Sequence, residues 1–196
     1  MSQNAKACVY LLQNALIYSS SKSLDLCETK IKEIKESEKI LTAEFIEQAK
    51  EYPNLKIYVA VPGHIKKMAE FIESITFCAR TKIREGILFN DRAVSEITFL
   101  MERLQEVLEN VSDIILARNT VMREYVKESV AEIGRSVNDF ATMNEERLVK
   151  GLCMPHASSL FLDILDAIKV IAWDAKEIAE KLTASNKPTD RRRADE

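Results

Sequence analysis

Glycine and proline are scarce, four of each in 196 residues, which puts glycine at about a third of its usual share. Folds that work through strand–helix loops or phosphate-cradling turns need glycine where the backbone takes positive φ or approaches a ligand. Gly63, Gly86, Gly134 and Gly151 stand too far apart for that, so a P-loop and a dinucleotide fingerprint are excluded. An excess of one charge is also missing: 28 basic and 31 acidic side chains leave a net charge of −3. No global field then draws the chain to nucleic acid or to an anionic membrane. The four cysteines, Cys8, Cys27, Cys78 and Cys153, include no CxxC pair that could seed a zinc or redox motif. They read as reduced core thiols of a cytoplasmic protein. No apolar run is long enough to span a bilayer. The nearest, Ala7 to Tyr18 after Lys6, is interrupted by Gln13 and Asn14, falls short of the about 20 residues a crossing needs, and is followed by no clean small-x-small cleavage site. His64 and His156 are the only histidines and no Glu-x-x-His occurs, which removes the di-iron use of a helical bundle. Nothing local supports a Ser-His-carboxylate triad, so no enzyme is expected.

What the chain does have is apolar residues in helical rhythm. Val94, Ile97, Met101, Leu104, Leu108, Val111 and Ile115 alternate by three and four and form one stripe on a helix about 42 Å long at 1.5 Å per residue. The rhythm recurs from Ile65 to Ala79, from Met122 to Phe140 and from Phe161 to Leu182. It is poorer from Leu24 to Phe45, where Glu38 falls on the stripe, so that helix should be the least buried of the long ones. Six helices are predicted, near 3–19, 24–51, 62–88, 91–118, 120–151 and 156–184. They form an all-α protein of two pseudo-symmetric three-helix antiparallel bundles, 1–88 and 89–184, followed by a disordered tail over 185–196. Lys56 to Val61 alternates like a strand but has no partner strand, and is expected to be an extended approach or a helical turn before Pro62. Asn90 is the expected cap of the fourth helix, with Asp91 in its first turn. A faint echo links the third and sixth helices: Ile75 and Ile171 are each followed two residues later by an aromatic, Phe77 and Trp173.

From Val137 onward, Arg147-Leu148, Gly151, Cys153, the run Phe161-Leu162-Asp163-Ile164-Leu165, Ile171 and Ile178-Ala179-Glu180 resemble the C-terminal PhoU domain of bacterial sodium-dependent phosphate cotransporters. KIREGILFNDRAVSEI from Lys82 resembles the connector between the two halves of a PhoU-type protein. The resemblance implies two three-helix repeats and a cytoplasmic regulator linking phosphate uptake to signalling, with a phosphate transporter or a signalling kinase subunit as partner. Several members of the family also bind metal through E/DxxxD motifs, and that property is not expected to carry over. Lys169 and Trp173 stand where ligands would be expected on the sixth helix, Phe77 stands four residues after Glu73 on the third, and Gly134 and Asn138 take the spacing of paired carboxylates on the fifth. An ammonium, an indole and a phenyl ring cannot ligate a hard cation.

The remaining metal candidates are Glu73, Glu109, Asp113, Asp163, Asp166, Asp174 and Glu177. Glu109 and Asp113 form a literal ExxxD on the fourth helix, a spacing that any charged helix produces and that reads first as a solvated face. Asp163, Asp166, Asp174 and Glu177 form an acidic row on the sixth, with Asp163 at a position the family retains. Trp173 is expected to pack at the helix flank, filling volume the family gives to metal, with a partner-binding anchor as the other reading. Arg191-Arg192-Arg193 is offset by Asp190, Asp195 and Glu196. No cofactor is expected. Homo-oligomerisation stays open, as do two other readings of the whole chain: a helical scaffold of unrelated biology, and a metal-binding sensor of the PhoU type.

Overall fold

Each apolar stripe becomes the buried seam of a helix in the computed structural model, which describes residues 1–117, 119 and 121–184. The expected disordered tail lies outside the described residues. Among these, α1 (Ser2–Tyr18), α2 (Ser21–Glu51), α3 (Val61–Arg84), α4 (Asp91–Ala117), α5 (Met122–Val149) and α6 (Pro155–Ala184) account for nearly the whole chain. No strand is present among them, and no helix is long and apolar enough to cross a membrane.

Local chemistry sets the ends. The Ser20 hydroxyl accepts from the Ser23 amide at 3.3 Å to start α2. Asn90 Oδ1 accepts from the Ala93 amide at 2.8 Å to start α4, with Asp91 in the first turn, as a side-chain cap and a favourably placed helix-dipole partner should. The segment Pro53–Tyr58 is a 3-10 turn, so the alternating residues before Pro62 form helical backbone rather than a strand. α3 ends at Arg84, four residues earlier than expected, because Gly86 takes φ +63° and turns the chain. There Gly86 N–H bonds the Ile83 carbonyl and Ile87 N–H bonds the Lys82 carbonyl, the paired bonds of a left-handed glycine cap. Gly151, at φ +67°, ends α5 in the same way, with Gly151 and Leu152 amides bonded to the Leu148 and Arg147 carbonyls.

α1 packs on α2 and α3, and α2 on α3. α4 packs on α5 and α6, and α5 on α6. The two bundles join where α1 meets α4 and, most extensively, where α3 meets α6. Exchanging the first three helices for the last three maps this set of contacts onto itself, which is the pseudo-twofold expected from the echo between Phe77 and Trp173. The echo extends along the helices. Buried Ile65, Met68, Ile72 and Ile75 of α3 correspond, 96 residues on, to buried Phe161, Ile164, Ile168 and Ile171 of α6. Exposed Lys67, Glu70, Glu73 and Phe77 correspond to exposed Asp163, Asp166, Lys169 and Trp173.

One apolar core runs through both bundles. α2 is the least buried of the long helices: it seats Leu24, Cys27, Ile31 and Ile34 in its first half and only Ala49 beyond them. Glu38, the break in its stripe, pairs with Lys66 at 3.4 Å. All four cysteines are free, and Cys8, Cys27 and Cys78 are buried. Cys8 and Cys27 each direct Sγ at the other's carbonyl, at 3.7 and 3.8 Å. The contact with Cys27 and then burial raise the Cys8 thiol well above its ordinary pKa. Cys153 departs from the expected core thiol. It is half-buried because it lies in the α5–α6 connector, where it lines a depression of about 240 Å³ beside exposed Leu88, Leu152 and Met154.

Candidate functional site

The residues singled out in the sequence separate into three places. The first is the α3–α6 face. Glu70, Glu73, Asp163 and Asp166 stand around a depression of about 480 Å³ whose apolar lining includes Phe71, Phe77 and Ala167. Phe77 is 67% exposed. Glu73 pairs with Lys35 at 2.7 Å, whereas Glu70, Asp163 and Asp166 form no ion pair among the described residues. Cys78 forms part of the floor, and burial, followed by the nearby Asp163 carboxylate, pushes its thiol up to about 11.

The second place is the first turns of α3, and it corrects the acidic row read on the sixth helix. Asp163 and Asp174 are eleven residues apart and point in nearly the same direction at about 100° per residue. Asp163 is nevertheless exposed, and Asp174 is only 1% accessible, because His64 and Lys67 of α3 cover it. His64 Nδ1 lies 3.0 Å from Asp174 Oδ1 and Lys67 Nζ lies 3.0 Å from Oδ2. Lys181 Nζ is 2.7 Å from His64 Nε2. An ammonium can only donate, so Nε2 accepts and the ring proton sits on Nδ1, donated to Asp174. Glu177 completes the chain by pairing with Lys181 at 3.6 Å. These two candidates are therefore engaged with lysines and a histidine. Only the tertiary fold brings the group together, across 110 residues between His64 and Asp174, and no local signal in the sequence marks it.

The third place is α4, where Glu109 pairs with Lys6 at 2.7 Å. Asp113 is exposed one turn away and makes no ion pair among the described residues. The literal ExxxD is a solvated face, remote from α3.

The donor set does not fit a family-type metal cluster. Among the described residues no three His, Cys, Asp or Glu side chains come together as ligands of one ion. Lys169 places its ammonium 3.0 Å from Asn138 Oδ1, where it would repel a cation. Trp173 corrects the expectation of flank packing: it is 53% exposed, with Lys176 Nζ 4.4 Å from its ring centroid, because its neighbours Ala172 and Asp174 take the buried directions. Purified protein is expected to carry iron, zinc and nickel only below stoichiometry by elemental analysis. One ion per chain, lost in Asp163→Asn or Glu73→Gln, would overturn this.

Two residues that carried the resemblance, Arg147 and Phe161, have a different role from the candidates, that of a joint at one end of the bundle. Arg147, in the last turn of α5, grips Glu96 of α4 with two hydrogen bonds of 2.9 and 2.8 Å while its guanidinium lies 5.6 Å from the Phe161 ring centroid. Phe161 in turn meets Phe89 edge to face. Glu96 was missed in the sequence because it adjoins the apolar stripe as an ordinary helical glutamate. The pointer available to it was Arg147, which belongs to the resemblance.

No family model and no curated protein matches the chain. Among solved structures it is similar to the crystal structure of PhoU from Pseudomonas aeruginosa, with a TM-score of 0.85 and 14% identity, over 93% of this chain and 90% of that one. A likeness at that identity speaks for architecture, and the chain has the all-helical PhoU-like fold.

Proposed function

We propose that this chain is a cytoplasmic PhoU-like regulator of inorganic phosphate transport and phosphate signalling, and that it acts by docking on a transporter or signalling kinase subunit. The observation that carries the reading is the likeness to PhoU along almost the whole chain. The resemblance of Arg147, Gly151, Cys153 and the Phe161–Leu165 run to the C-terminal domain of sodium-dependent phosphate cotransporters agrees with it. No catalytic step and no resident metal are part of the proposal. The two repeats, 1–88 and 89–184, act as one rigid body that presents surface, with affinity concentrated in a few apolar or aromatic anchors and charge setting orientation and on-rate.

Deleting the gene is expected to change phosphate uptake or the expression of phosphate-starvation genes. Pull-downs from cells at low and high phosphate are expected to recover a transporter or kinase subunit. Unchanged uptake together with partners all unconnected to phosphate would replace this reading with the generic scaffold.

A further inference from the structure

The pseudo-twofold sets two equivalent regions of the α3–α6 face side by side, and their charges differ. In the half that ends at Trp173, Lys67 reaches across from α3 and pairs with the buried Asp174 at 3.0 Å, while Lys169 of α6 turns towards α5 and bonds Asn138. In the half that ends at Phe77, the counterparts are reversed or absent: Asp163 replaces Lys67, the Cys78 thiol replaces Asp174, and Glu73 replaces Lys169. Among the described residues the carboxylates of Asp163 and Asp166 therefore meet no cation, and no described lysine, arginine or histidine lines the depression of about 480 Å³ between them and Glu70. Exposed Phe77 and half-buried Phe71 supply apolar surface at the same place.

We infer that this groove binds a basic, amphipathic helical segment of a partner protein, with a lysine or arginine against Asp163 and Asp166 and an apolar residue against Phe77. One half of the face neutralises its buried carboxylate from within, through Lys67, and the other presents Asp163 and Asp166 around an open depression, with no ion pair among the described residues. Complementary charge selects and orients the segment, and the phenyl ring provides the anchor. A free divalent ion is the poorer occupant because the carboxylates do not converge on one point. The inference rests on the adaptor reading for its biological meaning, and it names the chemistry of the docked segment.

The test uses the full chain and a helical peptide of about 14 residues, roughly four turns, built of leucine and lysine, with a leucine–glutamate peptide as control. Saturable binding of the lysine peptide is expected, with amide resonances of 70–78 and 163–167 shifting and affinity falling as salt rises. The exposed-site variants Asp163→Asn/Asp166→Asn and Phe77→Ser should each weaken it about tenfold or more, while Glu124→Gln, elsewhere on the surface, should not. Equal binding of the glutamate peptide, shifts confined to other helices, or full retention of affinity in both variants would overturn the inference. Occupation of the groove by a second copy, or by a peptide of residues 185–196 in preference to the lysine peptide, would also overturn it. The two proposals fail separately. A phosphate phenotype without peptide binding leaves the adaptor reading and removes the groove, whereas peptide binding without a phosphate phenotype does the reverse.

Discussion

Arg147→Ala is expected to lower the unfolding free energy by about 3 kcal/mol, the lower end of what breaking a buried ion pair costs. Glu96 is 4% and Arg147 12% accessible at the side chain, so truncation leaves a carboxylate with little water to replace the two bonds it loses. The value falls at the lower end because Arg92, largely exposed, remains 3.4 Å from Glu96. Arg147→Lys should recover only part of the loss, since an ammonium cannot bond both carboxylate oxygens in one plane or lie flat over Phe161. The double replacement Glu96→Leu/Arg147→Met should be more stable than Arg147→Ala alone, because it removes the stranded charge and keeps the volume filled. Urea melts of the four proteins decide the matter. A loss below about 0.5 kcal/mol in Arg147→Ala, the range of ordinary surface substitutions, would mean that the joint contributes nothing.

Leu104→Ala is expected to cost about 2 to 5 kcal/mol. Leu104 is fully buried on α4, the helix that touches α1, α5 and α6, so the cavity would open where the two bundles share their core. At roughly 2 to 4 °C per kcal/mol for a chain of this size, a loss of about 3 kcal/mol corresponds to a melting point lower by roughly 6 to 12 °C. Leu165→Ala, on the facing stripe of α6 and equally buried, should behave alike. Leu88→Ala, at 81% exposure, should change stability by less than about 0.5 kcal/mol. If Leu104→Ala and Leu88→Ala melt together, the stripe does not face the core.

Helix positions and their inward directions were legible in the sequence because they depend on residues three and four apart, which the chain carries locally. The stripe of α4, the Asn90 cap, the poor seating of α2 and the paired aromatics at Phe77 and Trp173 all follow from such short spacings. What the spacings cannot carry is which element covers a given direction at a given height. Asp163 and Asp174 point almost the same way from α6, yet one faces solvent and the other lies under His64 and Lys67, because the first turns of α3 cross the helix only at the second. Glu96 adjoins a readable stripe, and only the approach of Arg147 from 51 residues away turns it into half of a buried pair. The sequence by itself determined six helices and their seams, and carried only a faint echo of the repeat at Phe77 and Trp173. The tertiary structure decided which carboxylates are paired and which are left facing an open groove, because pairing across the bundle depends on how far each helix extends past its neighbour.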